Sequence, residues 1–373
     1  MSREVRGDIA RAIDILGRAK APSILIGPGA RAAMDIIAEL ACRLGAPVLT
    51  TPDAKSMFDE TSAYAAGVFS FGATDLAQAI ARESDAVIAI GTNLGEFATR
   101  GGHAFADAVI VHVTDDPFEL SIGRATAVAI VGEVSDTVRL LASGARPEKT
   151  PLRWFERLRA PSAPRAAAAG PPKPGAIDPG LAIRALGDAL PSQARVACDI
   201  TSAALHLLRD LRLTIEQRVW LQIERSACMG SALAAGLGVR LASDLPTLVV
   251  IGDWGLMMGG SELHTVASLG VGRFVVVVWS NSGGALIRAG VSAQRLAVPA
   301  EAHSWVSPRF AEVARAHGMR GLTARSATGL GRAAAASLRA PFPVLIEAII
   351  EPNAEIPGAG ARYVHLETST GRS

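Results

Sequence analysis

The stretch VIGDWGLMMGG, residues 250–260, closes an apolar strand pattern on a carboxylate and runs straight into glycines. The run before it, PTLVVIGD, is apolar without alternation, as expected of a strand covered on both faces in a parallel sheet. Asp253 then falls at the carboxyl end of that strand, where open α/β sheets collect ligands. The next comparable strand, RFVVVVWSNSGG, ends on Asn281. On a parallel sheet both strand ends share one rim, so the two side-chain oxygens can meet on a single cation. A carboxylate, an amide oxygen and a backbone carbonyl form an oxygen set suited to Mg²⁺, which keeps positions open for a diphosphate and water. The glycines let a backbone approach that diphosphate, and a helix expected from near Gly259 points amides toward it. The competing reading makes Asp253 an ordinary cap of the following helix.

Outward from this motif, strand-like and helix-like stretches alternate in two series. SILIG, APVLTT, DAVIAIG and AVIVHVT are the strands of the first, RVACDI, PTLVVIGD, RFVVVVWSN and FPVLIEAII those of the second. Such alternation predicts an α/β protein of two Rossmann-like domains, each a mostly parallel sheet flanked by helices. Between them lies RAPSAPRAAAAGPPKPGAIDPG, residues 159–180, whose prolines remove donors and fix the backbone, as in a linker. The expected division is residues 1–158, the linker, a second domain over 181–351 and a tail over 352–373. The two halves share no motif that would make them tandem copies.

A chain of 373 residues suggests about two domains, and 49% hydrophobic content is enough to build their cores. With 37 basic and 35 acidic residues spread along it, no basic stripe favours nucleic acid. Cys42, Cys198 and Cys228 lie far apart, which argues against zinc and disulfides and fits a reducing cytoplasm. No signal peptide is legible, and no apolar run reaches the roughly 20 residues that span a bilayer.

In the first series, IGPGARAA places Gly27 and Gly29 at a strand-to-helix turn that could accept a phosphate. Ala32 stands where a dinucleotide fingerprint has its third glycine, so a tight turn without ligand is the competing reading. AIGTNLGEF, residues 89–97, is a similar strand end. His264 and His303 fall near the Asp253 and Asn281 segments, and each also reads as an ordinary histidine.

The segment GDWGLMMGGSELHTVASLGVGRFVVVVWSNSGG resembles the thiamine diphosphate motif, a Gly-Asp-Gly followed by Asn at a later strand end. SACMGSALAAGLGVRLA is similar to the segment ahead of that motif, and GARAAMDIIAELACRLGAPVLTT to the central domain of the same enzymes. Nearly the whole chain resembles the central and diphosphate-binding domains of the acetolactate synthase, pyruvate decarboxylase and benzoylformate decarboxylase superfamily. The resemblance implies Asp253, Asn281 and the carbonyl of Gly283 as Mg²⁺ ligands. It implies Met229 as the apolar wedge that holds the cofactor bent, and the carbonyl of Ala227 as acceptor for the cofactor's 4′-amino group. Thr201 and Ser202 would approach the diphosphate, although a Ser/Thr pair at a helix start is also a common cap. Gly252, Trp254, Gly255 and Leu286 complete the implied cofactor contacts. Two departures stand out: Trp254 occupies the second glycine of the motif, and Ser280 the first Asn of an Asn-Asn pair.

The same resemblance calls for a pyrimidine-binding domain whose glutamate hydrogen-bonds the cofactor ring, and only about 20 residues precede the first strand. The expectation is therefore a split enzyme, a large subunit that joins a separate pyrimidine-domain subunit in an α2β2 or larger assembly. Its implied reaction is decarboxylation of a 2-oxo acid or carboligation, with Trp254, Leu256, Leu286 and Ile287 offered to an apolar acyl group. The alternative is a non-catalytic subunit that binds thiamine diphosphate or a nucleotide for regulation or scaffolding. Some relatives carry FAD or an ADP-type nucleotide in the central domain, and the sequence leaves that open.

Overall fold

Continuous apolar runs settle in sheet interiors. The computed structural model describes residues 3–121, 125–145, 154–159, 173–224 and 226–359. The chain divides into two compact units, Met1–Pro164 and Arg165–Ser373. Of the expected linker, residues 160–172 lie outside the described residues, as do residues 360–373 of the expected tail.

The first unit holds strands β1 (Pro22–Ile26), β2 (Val48–Thr50), β3 (Ala65–Val68), β4 (Ala86–Ile90), β5 (Val109–Thr114) and β6 (Val128–Val131). They form one parallel sheet in the order β3-β2-β1-β4-β5-β6, the doubly wound order that reverses between β1 and β4. Side chains alternate across it: Ile24, Ile26, Ile88 and Ile90 fill one core, and Leu25, Leu49, Val87 and Ala89 the other. Burying each such side chain contributes about 1.5–3 kcal/mol, so the interior strands dominate the stability of this unit.

The turn glycines serve the packing at the reversal point. A methyl group on Gly27 would lie 2.3 Å from the Gly91 carbonyl, and one on Gly91, at φ +59°, would lie 2.3 Å from the Ala30 nitrogen. The Gly27 and Gly29 amides donate to the carbonyls of Ile90 and Gly91, each at 2.9 Å. These N–H groups are engaged by the β4 loop, so the geometry follows the tight-turn reading rather than a phosphate cradle.

The second unit holds β7 (Arg195–Cys198), β8 (Arg218–Trp220), β9 (Thr247–Gly252), β10 (Phe274–Ser280), β11 (Arg320–Ala324) and β12 (Val344–Ile349). Their order is β11-β12-β10-β9-β7-β8, again parallel throughout. β9 and β10 are buried along their whole length, which fixes the rim where they end. Residues 177–180, read from sequence as the end of the linker, are built into this unit. Ile177 bridges Ile350, and the Asp178 carboxylate caps the helix Pro179–Ala189 through the Leu181 amide at 2.8 Å.

Candidate active site on the rim of the second sheet

β9 delivers Asp253 directly into the first turn of a short helix, Asp253–Gly259, which the sequence did not foresee, and the helix expected from near Gly259 follows it as Glu262–Leu269. Asp253 is 2% exposed. Its Oδ2 accepts from the Gly283 amide at 3.0 Å, the Trp305 indole Nε1 at 3.1 Å and, more weakly, the Ser307 hydroxyl at 3.5 Å. Its Oδ1 accepts from the Trp254 amide at 2.9 Å. Burial nevertheless holds the carboxyl above its usual range, against these donors and the positive charge of Arg288. A cation would relieve that cost.

Asn281, at the end of β10, is buried and donates Nδ2 to the Ser202 hydroxyl at 3.3 Å. In this orientation its Oδ1 remains for a cation. Gly283 commits its N–H to Asp253, and its φ of +129° is one that side-chain-bearing residues rarely adopt. The loop is pinned from behind. Gly283 bridges Ser304, the Gly284 amide donates to the His303 carbonyl at 3.0 Å, and Arg288 donates to the carbonyls of Asn281, His303 and Pro352. The Asp253–Gly283 hydrogen bond ties the end of β9 to the loop after Asn281, and the Gly283 carbonyl itself accepts from the Ala285 amide at 3.0 Å. A carboxylate, an amide oxygen and a backbone carbonyl make a hard-oxygen donor set of the kind that suits Mg²⁺. Among the described residues no cluster of three His, Cys, Asp or Glu side chains competes with it.

Thr201 and Ser202 stand at the start of the helix Ser202–Asp210, after β7. Thr201 occupies the cap position without making a side-chain cap bond, so its hydroxyl is not used in the way the capping alternative requires. Its Oγ1 lies against Gly252, where an added methyl would come within 2.9 Å. Ala227 adopts φ +47° and Gly230 φ +85°, and Met229 sits between them just before the helix Ser231–Ser243. Met229 is 39% exposed, on a turn whose Gly230 packs against Gly255 and Gly259 of the short helix.

Trp254 packs inward within its own unit. A methyl on Gly284 would lie 2.9 Å from its ring, and it meets Trp305 edge to face at 6.3 Å between centroids. Leu256 is not available to a substrate, being buried in the core; Met257 and Met258 are the exposed side chains of that helix, at 54% and 63%. Leu286 is half-buried and Ile287 exposed on the helix Ala285–Ala293. His303 contributes its backbone to the loop. His264 lies near His317 and Ser268.

Sequence reasoning did not foresee Asp199, Arg288, Trp305 or Ser307. Asp199 had a signal, because RVACD ends on a carboxylate as VVIGD does. The other three are recognised only when the loops close around Asp253.

Comparison with known proteins meets this geometry. Residues 9–141 match the thiamine pyrophosphate enzyme central domain, and residues 199–348 the C-terminal TPP binding domain of the same enzymes. The chain is 29% identical over 346 residues to the acetolactate synthase large subunit of Parasynechococcus marenigrum, covering 91% of this chain and 55% of the relative. It is 26% identical over 357 residues to the acetolactate synthase large subunit of Porphyra purpurea, covering 92% and 59%. To a probable 2-ketoarginine decarboxylase of Pseudomonas aeruginosa it is 28% identical over 283 residues, covering 74% and 49%. The chain thus spans about half the length of the curated relatives it matches. Asp253, Asn281 and Gly283 all fall inside the matched TPP binding domain, and the chain belongs to the thiamine pyrophosphate-dependent enzymes, carrying their central domain and their TPP binding domain.

Proposed function

We propose that this chain is the large, diphosphate-binding part of a cytoplasmic thiamine diphosphate-dependent enzyme that decarboxylates a 2-oxo acid or joins its acyl fragment to a second carbonyl. The observation that supports the reading is the Asp253–Gly283 hydrogen bond, which ties the end of β9 to the loop after β10 within the matched TPP binding domain. The names of its relatives, acetolactate synthase and 2-ketoarginine decarboxylase, support the 2-oxo acid class.

Thiamine diphosphate, when bound, supplies the electron sink for carbon–carbon cleavage. The chain's own residues bind and orient. Asp253, Asn281 and the Gly283 carbonyl would hold Mg²⁺ and through it the diphosphate, with Thr201 and Ser202 beside it. Gly252 and Gly255 keep the backbone low at this rim. Met229 would support the bent cofactor and the Ala227 carbonyl would accept from its amino group, while Trp254 stiffens the metal loop through Gly284 and Trp305. Leu286 and Ile287 offer an apolar edge to the acyl group. The wall for the aminopyrimidine, with its glutamate, would come from a pyrimidine-binding domain in a separate subunit, in an α2β2 or larger assembly.

Thiamine diphosphate with Mg²⁺ is expected to raise the melting temperature, since a ligand at a hundredfold its Kd stabilises the folded state by about 2.7 kcal/mol. Asp253→Ala is expected to remove that shift. Identical responses of wild type and variant in a thermal scan would overturn the metal assignment. Met229→Ala should leave the unliganded melt unchanged, because the side chain is substantially exposed, and should lower turnover of the assembled enzyme about ten- to a hundredfold by loosening the bent cofactor. Unchanged turnover would contradict the wedge.

A further inference from the structure

Asp199 is a carboxylate 1% exposed at the end of β7, outside the metal set. Its amide continues the sheet by donating to the Val250 carbonyl at 2.9 Å. Its side chain leaves the sheet: Oδ2 accepts from the Gly230 amide at 2.8 Å and Oδ1 from the Ala232 amide at 3.4 Å. These donors flank the start of the helix Ser231–Ser243, whose cap residue, Gly230, has no side chain to satisfy them. A residue from a distant strand therefore performs the capping.

The same turn is held from the other side. A methyl on Gly259 would lie 2.6 Å from the Gly230 carbonyl, and one on Gly230 would lie 3.0 Å from the Gly255 carbonyl. A methyl on Gly255 would come within 2.2 Å of Asp199 Oδ2. The carboxylate, the turn bearing Met229 and the short helix after Asp253 are thus packed at backbone distance. Burial pushes the Asp199 carboxyl up, against the amides of Gly230, Ala232, Ser231 and Ile200 that favour its ionised form.

We infer that Asp199 is a positioning residue, whose carboxylate fixes the turn presenting Met229 and whose bulk requires glycine at position 255. The inference rests on the cofactor reading above and names how its wedge is held. Asp199 acts through Met229, and nothing assigns it a contact with reacting atoms.

The test uses the full chain with Mg²⁺ and compares Kd for thiamine diphosphate with Kd for inorganic pyrophosphate, in wild type and Asp199→Asn. Asparagine keeps the shape but turns an NH₂ toward an amide donor. Pyrophosphate reaches only the Asp253 and Asn281 end, so its affinity should stay within about twofold, while thiamine diphosphate weakens about tenfold, the size of a lost cap. Amide exchange at Gly230 and Ala232 in the unliganded protein should accelerate by a similar factor. Gly255→Ala should lower the melting temperature in the wild type but not in the Asp199→Ala background, where the collision is gone. Equal weakening of both ligands, or no change in either ligand or in exchange, would overturn the inference alone. A wild type that binds neither ligand would overturn the cofactor reading and this inference together.

Discussion

Replacing Gly283 with alanine is expected to abolish Mg²⁺-dependent diphosphate binding and to cost about 4 kcal/mol of stability. At φ +129° a side chain is strained wherever it points. Here the added methyl also meets backbone, 2.6 Å from the His303 carbonyl and 2.8 Å from the Ser304 Cα, and backbone cannot rotate away. Relief requires the loop to separate from residues 303–304, which also moves the amide that donates to Asp253 and the carbonyl proposed for the cation. Neighbouring Ser282, at φ +63°, gives a control of opposite sign. Ser282→Gly should be neutral or stabilising by up to about 1 kcal/mol, because glycine tolerates that conformation. Denaturant unfolding and calorimetric titration of pyrophosphate with Mg²⁺ measure both effects. A Gly283→Ala protein that binds like wild type would remove this loop from the site.

The strands that sequence reading finds and those it misses differ in one physical respect. The missed strands, β3, β6, β8 and β11, are the four sheet edges. An edge is covered incompletely, so its residues need not be apolar. RVW of β8 is half-buried throughout, and RGLTA of β11 is exposed at Arg320, Leu322 and Thr323, whereas β4, β9 and β10 are buried at every residue. Interior strands announce themselves as unbroken apolar runs, while short edges look like loops.

Legibility of the site follows a similar rule. Asp253 and Asn281 are visible because each is a polar residue ending a run that is otherwise apolar, and parallel strands share a rim. Trp305 and Arg288 are invisible because their roles depend on loop closure: Trp305 reaches Asp253 across 52 residues, and Arg288 gathers three carbonyls from three segments. Trp254 is visible as a departure from the glycine motif, but not its inward packing, which depends on Gly284 being bare and Trp305 being near. Met229 emerges only from the resemblance, since one methionine before a glycine carries no signal of its own.

On its own, this chain is expected to turn over a 2-oxo acid at least about a hundredfold more slowly than in the presence of a protein carrying a pyrimidine-binding domain, because proton transfer by a positioned group contributes about 10²–10⁴-fold. Two carboxylates at this rim are already engaged by backbone and indole donors. Asp253 is tied to Gly283, Trp254 and Trp305, and Asp199 to Gly230 and Ala232. Both are buried, so the residue that would meet a ring nitrogen is expected from another domain. Met257 and Met258, on the helix after Asp253, are more than half exposed and Val306 is 96% exposed, apolar side chains of the kind a second protein covers. Proton exchange at the cofactor's C2, followed by NMR with and without the added domain, separates the outcomes. Slow exchange alone and fast exchange on mixing is the expected pair, and replacing the partner's glutamate with glutamine should return the mixture to the slow rate. Fast exchange by the chain alone would mean that its own residues promote the proton transfer, and the two-subunit account would fall.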